Sequence, residues 1–247
     1  MQARPLENYV VLKTRAINDE LPIEAQMAVL SFYAYNDEIL KYFYAGNGWL
    51  LIESIGSKYS LQAKLFRKML PNGKFSYTIT FRGTDSWADL LNNINQIGIN
   101  SMKGQAYEAH SYANHVILRY LPNMESLYFT GHSLGGYLTQ WVQSEIEDGR
   151  MFVPIKTAAF TFNAPGFTKL KHVTNPYYLS VKRKLEDPKK YTTINNYKIK
   201  GDPVSLIGTV LGKQPVVLEI THPLHGFDAV ELHAIKRFLE YFQVPIL

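Results

Sequence analysis

Apolar positions along the chain change period several times, and the changes mark out its elements. Leu21 to Phe43 reads as a helix, with Pro22 in its first turn and Met27, Leu30, Phe32, Tyr33, Ala34 and Tyr35 as an apolar face. Gly46-Asn47-Gly48 ends it. The run Trp49 to Ile55 predicts a strand. Ser60 to Arg67 and Phe75 to Phe81 alternate with period two about Pro71-Asn72-Gly73, which predicts a hairpin. Gln105 to Tyr120 returns to helical spacing, and Pro122-Asn123 turns the chain into a β-prone run, Ser126 to Thr130. A helix is expected over Tyr137 to Ile146, with Leu138, Trp141, Val142 and Ile146 on one face. Strands follow at Ile155 to Phe162, Tyr191 to Ile199 and Val216 to Ile220, separated by an irregular basic segment. A last helix spans Asp228 to Phe242, with Val230, Ile235, Phe238, Leu239 and Phe242 for its buried side. Strands alternating with helices predict an α/β fold, a mostly parallel central sheet covered by helices on both faces.

One connection in this pattern differs from the rest. Between the strand at 126–130 and the helix at 137–146 stands Gly131-His132-Ser133-Leu134-Gly135-Gly136. Strand, tight glycine turn, helix is the context of a G-x-S-x-G nucleophile elbow. Gly131 and Gly135 leave room for a sharp reversal where a Cβ would clash. The turn forces Ser133 into a strained conformation, and the helix behind it favours negative charge at the site.

Composition narrows the picture. With 46% hydrophobic and 19% charged residues over 247 positions, the chain can form one folded domain with a full core, residues 1–247. No apolar run is long enough to span a bilayer, and Met1 to Leu12 carries no apolar signal segment. The expectation is a soluble chain, either cytoplasmic or exported by a non-classical route. The absence of cysteine excludes disulfides, thiolate metal sites and cysteine nucleophiles. Charge is uneven: Lys169 to Lys200 holds nine Lys/Arg against Glu186 and Asp187. Interleaved with Tyr177, Tyr178, Tyr191 and Tyr197, this stretch suits a phosphate-rich surface, with a solvated loop as the plain alternative. No nucleic-acid motif accompanies it, so no nucleic-acid partner is expected.

A serine hydroxyl needs a base, and the base needs an orienting acid. In elbow-type folds these follow the serine in the order acid, then histidine. Asp187, Asp202 and Asp228 are the loop acids. Asp202, directly after a strand between Gly201 and Pro203, is the choice; Asp187 lies in the charged segment and Asp228 reads as a helix N-cap. His222, His225 and His233 all follow, and position alone leans to the loop pair, His222 and His225. The oxyanion donors would be the N–H of Leu134 and, from the end of an earlier strand, Thr84 in Phe81-Arg82-Gly83-Thr84-Asp85. A metal site from His222, His225, Asp228 and Glu231 has no recognised ligand spacing.

Four motifs in order, Phe81-Arg82-Gly83-Thr84, Thr130-Gly131-His132-Ser133-Leu134-Gly135-Gly136, Phe162-Asn163-Ala164-Pro165-Gly166-Phe167 and Gly201-Asp202-Pro203-Val204, resemble the lipase class 3 family of α/β-hydrolases, especially its bacterial branch. The resemblance runs from about Ala25 to the C-terminus. It implies a serine esterase acting on lipid esters, phospholipase A or acylglycerol lipase, with Ser133 as nucleophile, Asp202 as acid, Thr84 and Leu134 as oxyanion donors, and no metal or organic cofactor. It also shifts the base to His233, in His233-Ala234-Ile235-Lys236-Arg237-Phe238-Leu239, with His225 second. A lid is expected at 86–102 or 167–190, and peripheral contact with an anionic membrane surface through 169–200. The rival reading is an inactive hydrolase-fold module that binds lipid or protein.

Overall fold

The computed structural model describes residues 21–39, 44–56, 61–83, 98–169, 174–219 and 229–244. Its centre is a seven-stranded sheet whose strands lie in chain order: β1 Trp49–Ile55, β2 Ala63–Met69, β3 Phe75–Phe81, β4 Met124–His132, β5 Lys156–Phe162, β6 Ile194–Ile199 and β7 Val216–Leu218. The expected hairpin is there, β2 against β3, closed by Leu70 N–H donating to Lys74 O at 2.9 Å, with Gly73 at φ 79°. β1 also runs antiparallel to β2; from β3 onward every pairing is parallel. The fold is therefore the α/β class expected, a mostly parallel sheet flanked by helices.

Each face of the sheet has its own core. Helices α2 (Gly98–Tyr120), α3 (Leu134–Glu147) and α4 (Pro176–Lys184) cross over between parallel strands. They bury Ala113, Val116, Leu138, Trp141 and Val181 against Leu65, Ile79, Leu127 and Phe129. The opposite face is covered by α1 (Ile23–Tyr33) and by α6 (Lys236–Tyr241), whose Phe238 and Leu239 join Met27 and Leu30 over Phe66, Phe160 and Phe162. Alternate residues of one strand serve opposite cores, as the two-residue period requires. α3 lies at the centre, and polar side chains on it are buried too. Gln140 donates to Pro165 O at 3.0 Å and accepts from Leu211 N–H at 2.9 Å, satisfying an amide that burial would otherwise penalise.

Three elements differ from the sequence expectation. α1 ends at Tyr33, short of Phe43, because the buried Lys64 ammonium gathers the carbonyls of Ala34 (3.0 Å) and Asn36 (2.8 Å) into a turn; residues 40–43 lie outside the described ones. The stretch expected to be irregular contains α4, started by Asn175 Oδ1, which accepts from Tyr177 N–H at 3.0 Å, and by Pro176 at its first position. The last helix is two pieces, α5 (Ala229–His233) and α6, interrupted at Ala234-Ile235, and Val230 on the first piece is exposed rather than buried.

α4 also redistributes the basic segment. The Lys184 side chain is 1% exposed and sits between Glu145 (2.8 Å) and Asp148 (2.6 Å) of the α3 terminus. Arg150 joins Glu145 at 2.9 Å, and Lys190 joins Asp148 at 2.8 Å. Burial pushes the Asp148 carboxyl up, but hydrogen bonds from Lys184 and Lys190 outweigh it and hold it below its ordinary value. Tyr177 and Tyr191 are buried as well, so these residues pack the domain. Lys169, Lys182, Arg183 and Lys189 remain on the surface.

Candidate active site

The parallel strands place their carboxyl ends, and the motifs that follow them, along one edge of the sheet. β4 passes into Ser133, which has φ 56° and ψ −129° and is the residue preceding α3. This backbone conformation costs a non-glycine residue on the order of 1–3 kcal/mol, and its surroundings hold it there. Ser133 N–H donates to Phe162 O at 3.0 Å, while Ser133 O accepts from the N–H groups of Gly136 (2.9 Å) and Tyr137 (3.2 Å). The glycines are needed for contact, not for dihedral freedom. A Cβ on Gly131 would stand 2.4 Å from the carbonyl carbon of Gly135, and one on Gly135 would stand 2.0 Å from Phe81 O. The elbow is thus wedged between β3 and the first turn of its own helix. Ser133 is 2% exposed, and its Oγ has no hydrogen-bond partner among the described residues.

Asp202 follows β6 and is fully buried. Its Oδ2 accepts from Ser205 N–H at 2.9 Å and its Oδ1 faces His233 Nδ1, also at 2.9 Å. A carboxylate oxygen accepts here, so the proton lies on Nδ1 of His233. Ser205 Oγ donates to Asp202 O at 3.0 Å, and the Lys198 ammonium donates to Ser205 O, which ties the acid loop to β6. Burial lowers the Lys198 pKa, and the Asp202 charge opposes that shift. His233, the last residue of α5, is 6% exposed, and its ring lies 4.6 Å, centroid to centroid, from that of His132, the neighbour of Ser133. Acid, imidazole and serine elbow therefore converge from positions far apart in the chain. Of the three candidate histidines, His233 is the one found beside Asp202; His222 and His225 lie outside the described residues.

Leu134 begins α3, so its N–H is one of the first-turn donors that a helix leaves without an internal acceptor. Thr84 lies outside the described residues, as does 86–97 of the stretch 86–102, whose remainder begins α2; β3, the strand that leads to Thr84, ends at Phe81, and Gly83 lies beside the elbow. A Cβ on Gly83 would come within 2.4 Å of Tyr35 Oη and 3.2 Å of Ser133 Cβ. Of the four residues considered for a metal, Glu231 is bonded to Lys236 and Arg237, and the other three lie outside the described residues.

Three residues around the site had no role in the sequence reading. His132 Nε2 lies 2.6 Å from His233 O, and its Nδ1 lies 2.9 Å from Tyr35 Oη. Asn163, at φ 46° after β5, donates to Leu232 O (2.9 Å) and His233 O (3.2 Å) and accepts from Ile199 N–H (2.8 Å). Asn163 stood in one of the four motifs, and its left-handed backbone, which Asn tolerates, was the available signal.

The fold resembles solved lipases. Lip2 lipase from Yarrowia lipolytica is 17% identical, with 79% of this chain and 77% of that one covered at a TM-score of 0.54. M37 lipase is 13% identical, with 74% and 69% covered at a TM-score of 0.50. No curated protein sequence matches the chain. The phospholipase-like family described as the Tle-like phospholipase domain matches residues 33–235, a span that contains Ser133, Asp202 and His233.

Proposed function

The chain belongs to the Tle-like phospholipase domain family and is a lipid-ester hydrolase, and we propose that Ser133, His233 and Asp202 are the catalytic residues of its acyl transfer. One observation carries this reading. A buried carboxylate–imidazole pair at 2.9 Å lies against the neighbour of a strained serine whose hydroxyl has no partner among the described residues. With Nδ1 committed to Asp202, the lone pair for proton abstraction is on Nε2 of His233.

The steps follow. His233 Nε2 takes the Ser133 proton as Oγ bonds to the ester carbonyl carbon, and the C=O electron pair moves onto oxygen. The N–H of Leu134 holds that oxyanion, with Thr84 as the second donor, and the helix N-terminus adds to the field. Collapse breaks the ester C–O bond, and the leaving alcohol takes the proton from the imidazolium, which Asp202 has stabilised. Water then repeats the sequence on the acyl-enzyme, regenerating Ser133. No step calls for a metal or an organic cofactor.

Between a glycerophospholipid and a neutral acylglycerol, we favour the phospholipid. The family's description and the exposed cations Lys169, Lys182, Arg183 and Lys189 support that choice, because cations on one surface attract anionic headgroups. The test is release of free fatty acid and lysophospholipid from mixed phosphatidylglycerol/phosphatidylcholine vesicles, beside release from a triacylglycerol emulsion. Faster release from vesicles, abolished in Ser133→Ala, is the expected result. A preference for the emulsion would reverse the substrate choice, and release unchanged in Ser133→Ala would remove the assignment of Ser133.

A further inference from the structure

The carbonyl of His233 is held unusually well for the end of a five-residue helix. In a continuous helix it would accept from the N–H four residues on, Arg237. Here Arg237 N–H turns to Ala234 O at 3.1 Å, and Phe238 N–H to Ile235 O at 3.1 Å. The break between α5 and α6 thereby hands the carbonyls of Leu232 and His233 to other donors. Those donors are side chains from the ends of two adjacent parallel strands, His132 from β4 and Asn163 from β5.

The chemistry of this contact identifies the tautomer present. A carbonyl only accepts, so His132 carries its proton on Nε2. Burial, with the repulsion that a second proton would meet between the two adjacent rings, holds the His132 pKa well below its ordinary value, so the ring is neutral and Nδ1 accepts from the Tyr35 hydroxyl at 2.9 Å. Tyr35 is itself lodged. The Arg82 guanidinium stands 5.5 Å over its ring and pairs with Asp37 at 2.6 Å, Lys64 ties down the flanking carbonyls, and Gly83 leaves the space its hydroxyl occupies.

We infer that His132 and Asn163 are positioning residues that fix the main chain of His233, and that Tyr35 sets the His132 tautomer that does so. The inference rests on His233 acting as the base. It explains why the residue before the nucleophile is a buried histidine: the same turn that presents Ser133 also grips the backbone of its partner. Serine and base are then referenced to the ends of two adjacent paired strands, and their separation is set by two hydrogen bonds instead of by a loop. A displacement near 1 Å between reacting groups is worth about 10²-fold in rate, which sets the scale of the effect.

The experiment measures kcat and KM on a soluble p-nitrophenyl ester for the wild type, His132→Leu, His132→Gln, Asn163→Asp, Tyr35→Phe and Ser133→Ala. Circular dichroism melting reports which variants are folded. Glutamine can place an N–H near the imidazole Nε2; leucine cannot. Asn163→Asp keeps the acceptor for Ile199 N–H and removes the donor. His132→Leu and Asn163→Asp should lose about tenfold to a hundredfold in kcat with KM within about twofold, and His132→Gln should recover most of the loss. Tyr35→Phe, which leaves His132 in place, should lower kcat several-fold and move the His132 ring-nitrogen NMR signals toward a mixture of tautomers. That variant keeps the inference testable if His132→Leu does not fold. Wild-type kcat in both Tyr35→Phe and Asn163→Asp would overturn the positioning role, as would a His132→Leu loss confined to KM. If Ser133→Ala hydrolyses the ester at the wild-type rate, it is the triad assignment that fails.

Discussion

Gly135→Ala is a sharp test of how the elbow is built, because the expected clash is with main chain alone. The added Cβ would stand 2.0 Å from Phe81 O, 2.8 Å from its carbonyl carbon and 3.0 Å from that of Arg82. An ordinary C···O contact is about 3.3–3.6 Å, so the two segments must separate by more than about 1 Å. Phe81 ends β3, which is clamped between β2 and β4, and no flexible side chain is available to give way. The elbow therefore moves, carrying Ser133 Oγ and the Leu134 N–H with it. A misplacement of that size costs about 10²-fold, and loss of an oxyanion donor about 10²–10³-fold, so kcat/KM should fall by at least about 10²-fold. Overpacking of this kind also destabilises by about 1–3 kcal/mol, which for a chain of this length lowers Tm by about 2–12 °C. Gly104→Ala is the matched control. It lies exposed within α2 with nothing within 4 Å of the added methyl, and it should leave kcat/KM unchanged while adding about 0.5–1 kcal/mol of stability. The assay is hydrolysis of a soluble ester beside thermal melting for both variants. A Gly135→Ala protein with wild-type kcat/KM would refute the wedge between β3 and the elbow.

Other predictions concern charge. Lys184→Met leaves Glu145 and Asp148 buried without their central cation and should cost about 3–5 kcal/mol, read as urea or thermal unfolding; a loss under about 1 kcal/mol would show the network to be weak. Because folded His132 stays neutral while the unfolded residue takes up a proton below about 6.5, stability should fall as pH drops below that value. The loss should reach up to about 1.4 kcal/mol per pH unit from this group, and His132→Leu should lack that share of the slope. Lys182→Glu/Arg183→Glu, which spares the buried Lys184, should weaken sedimentation with anionic vesicles and leave hydrolysis of a soluble ester intact; unchanged sedimentation would remove α4 from the membrane contact.

What could be read in the sequence, and what could not, divides by the range of the interactions. The elbow was legible because its determinants are local: two glycines at fixed spacing, a β-prone run before them and a helical period after. Asp202 was legible for a similar reason, standing one residue past the glycine that closes a strand. His233, the proposed base, was not selected by position but by the family resemblance. What supports it is its contact with Asp202, 31 residues earlier in the chain, and the break between α5 and α6, which periodicity alone read as one helix. α4 was missed although its start is written in Asn175-Pro176, an N-cap followed by a proline at the first helical position. The density of lysines hid it, and their meaning was equally non-local. Lys184 reads as a surface charge until α3 brings Glu145 and Asp148 against it. Asn163 and His132 had visible motif positions, but their partner is a carbonyl, which carries no sequence signature at all.

The most direct test of the central claim is covalent labelling of the purified protein with a fluorophosphonate, in the presence of vesicles, followed by intact mass and peptide mapping. An activated Ser133 predicts one adduct, on the peptide containing Gly131-His132-Ser133-Leu134-Gly135, absent from Ser133→Ala and strongly slowed in His233→Gln and Asp202→Asn. An adduct that persists in Ser133→Ala, or no adduct on a folded protein, would contradict it.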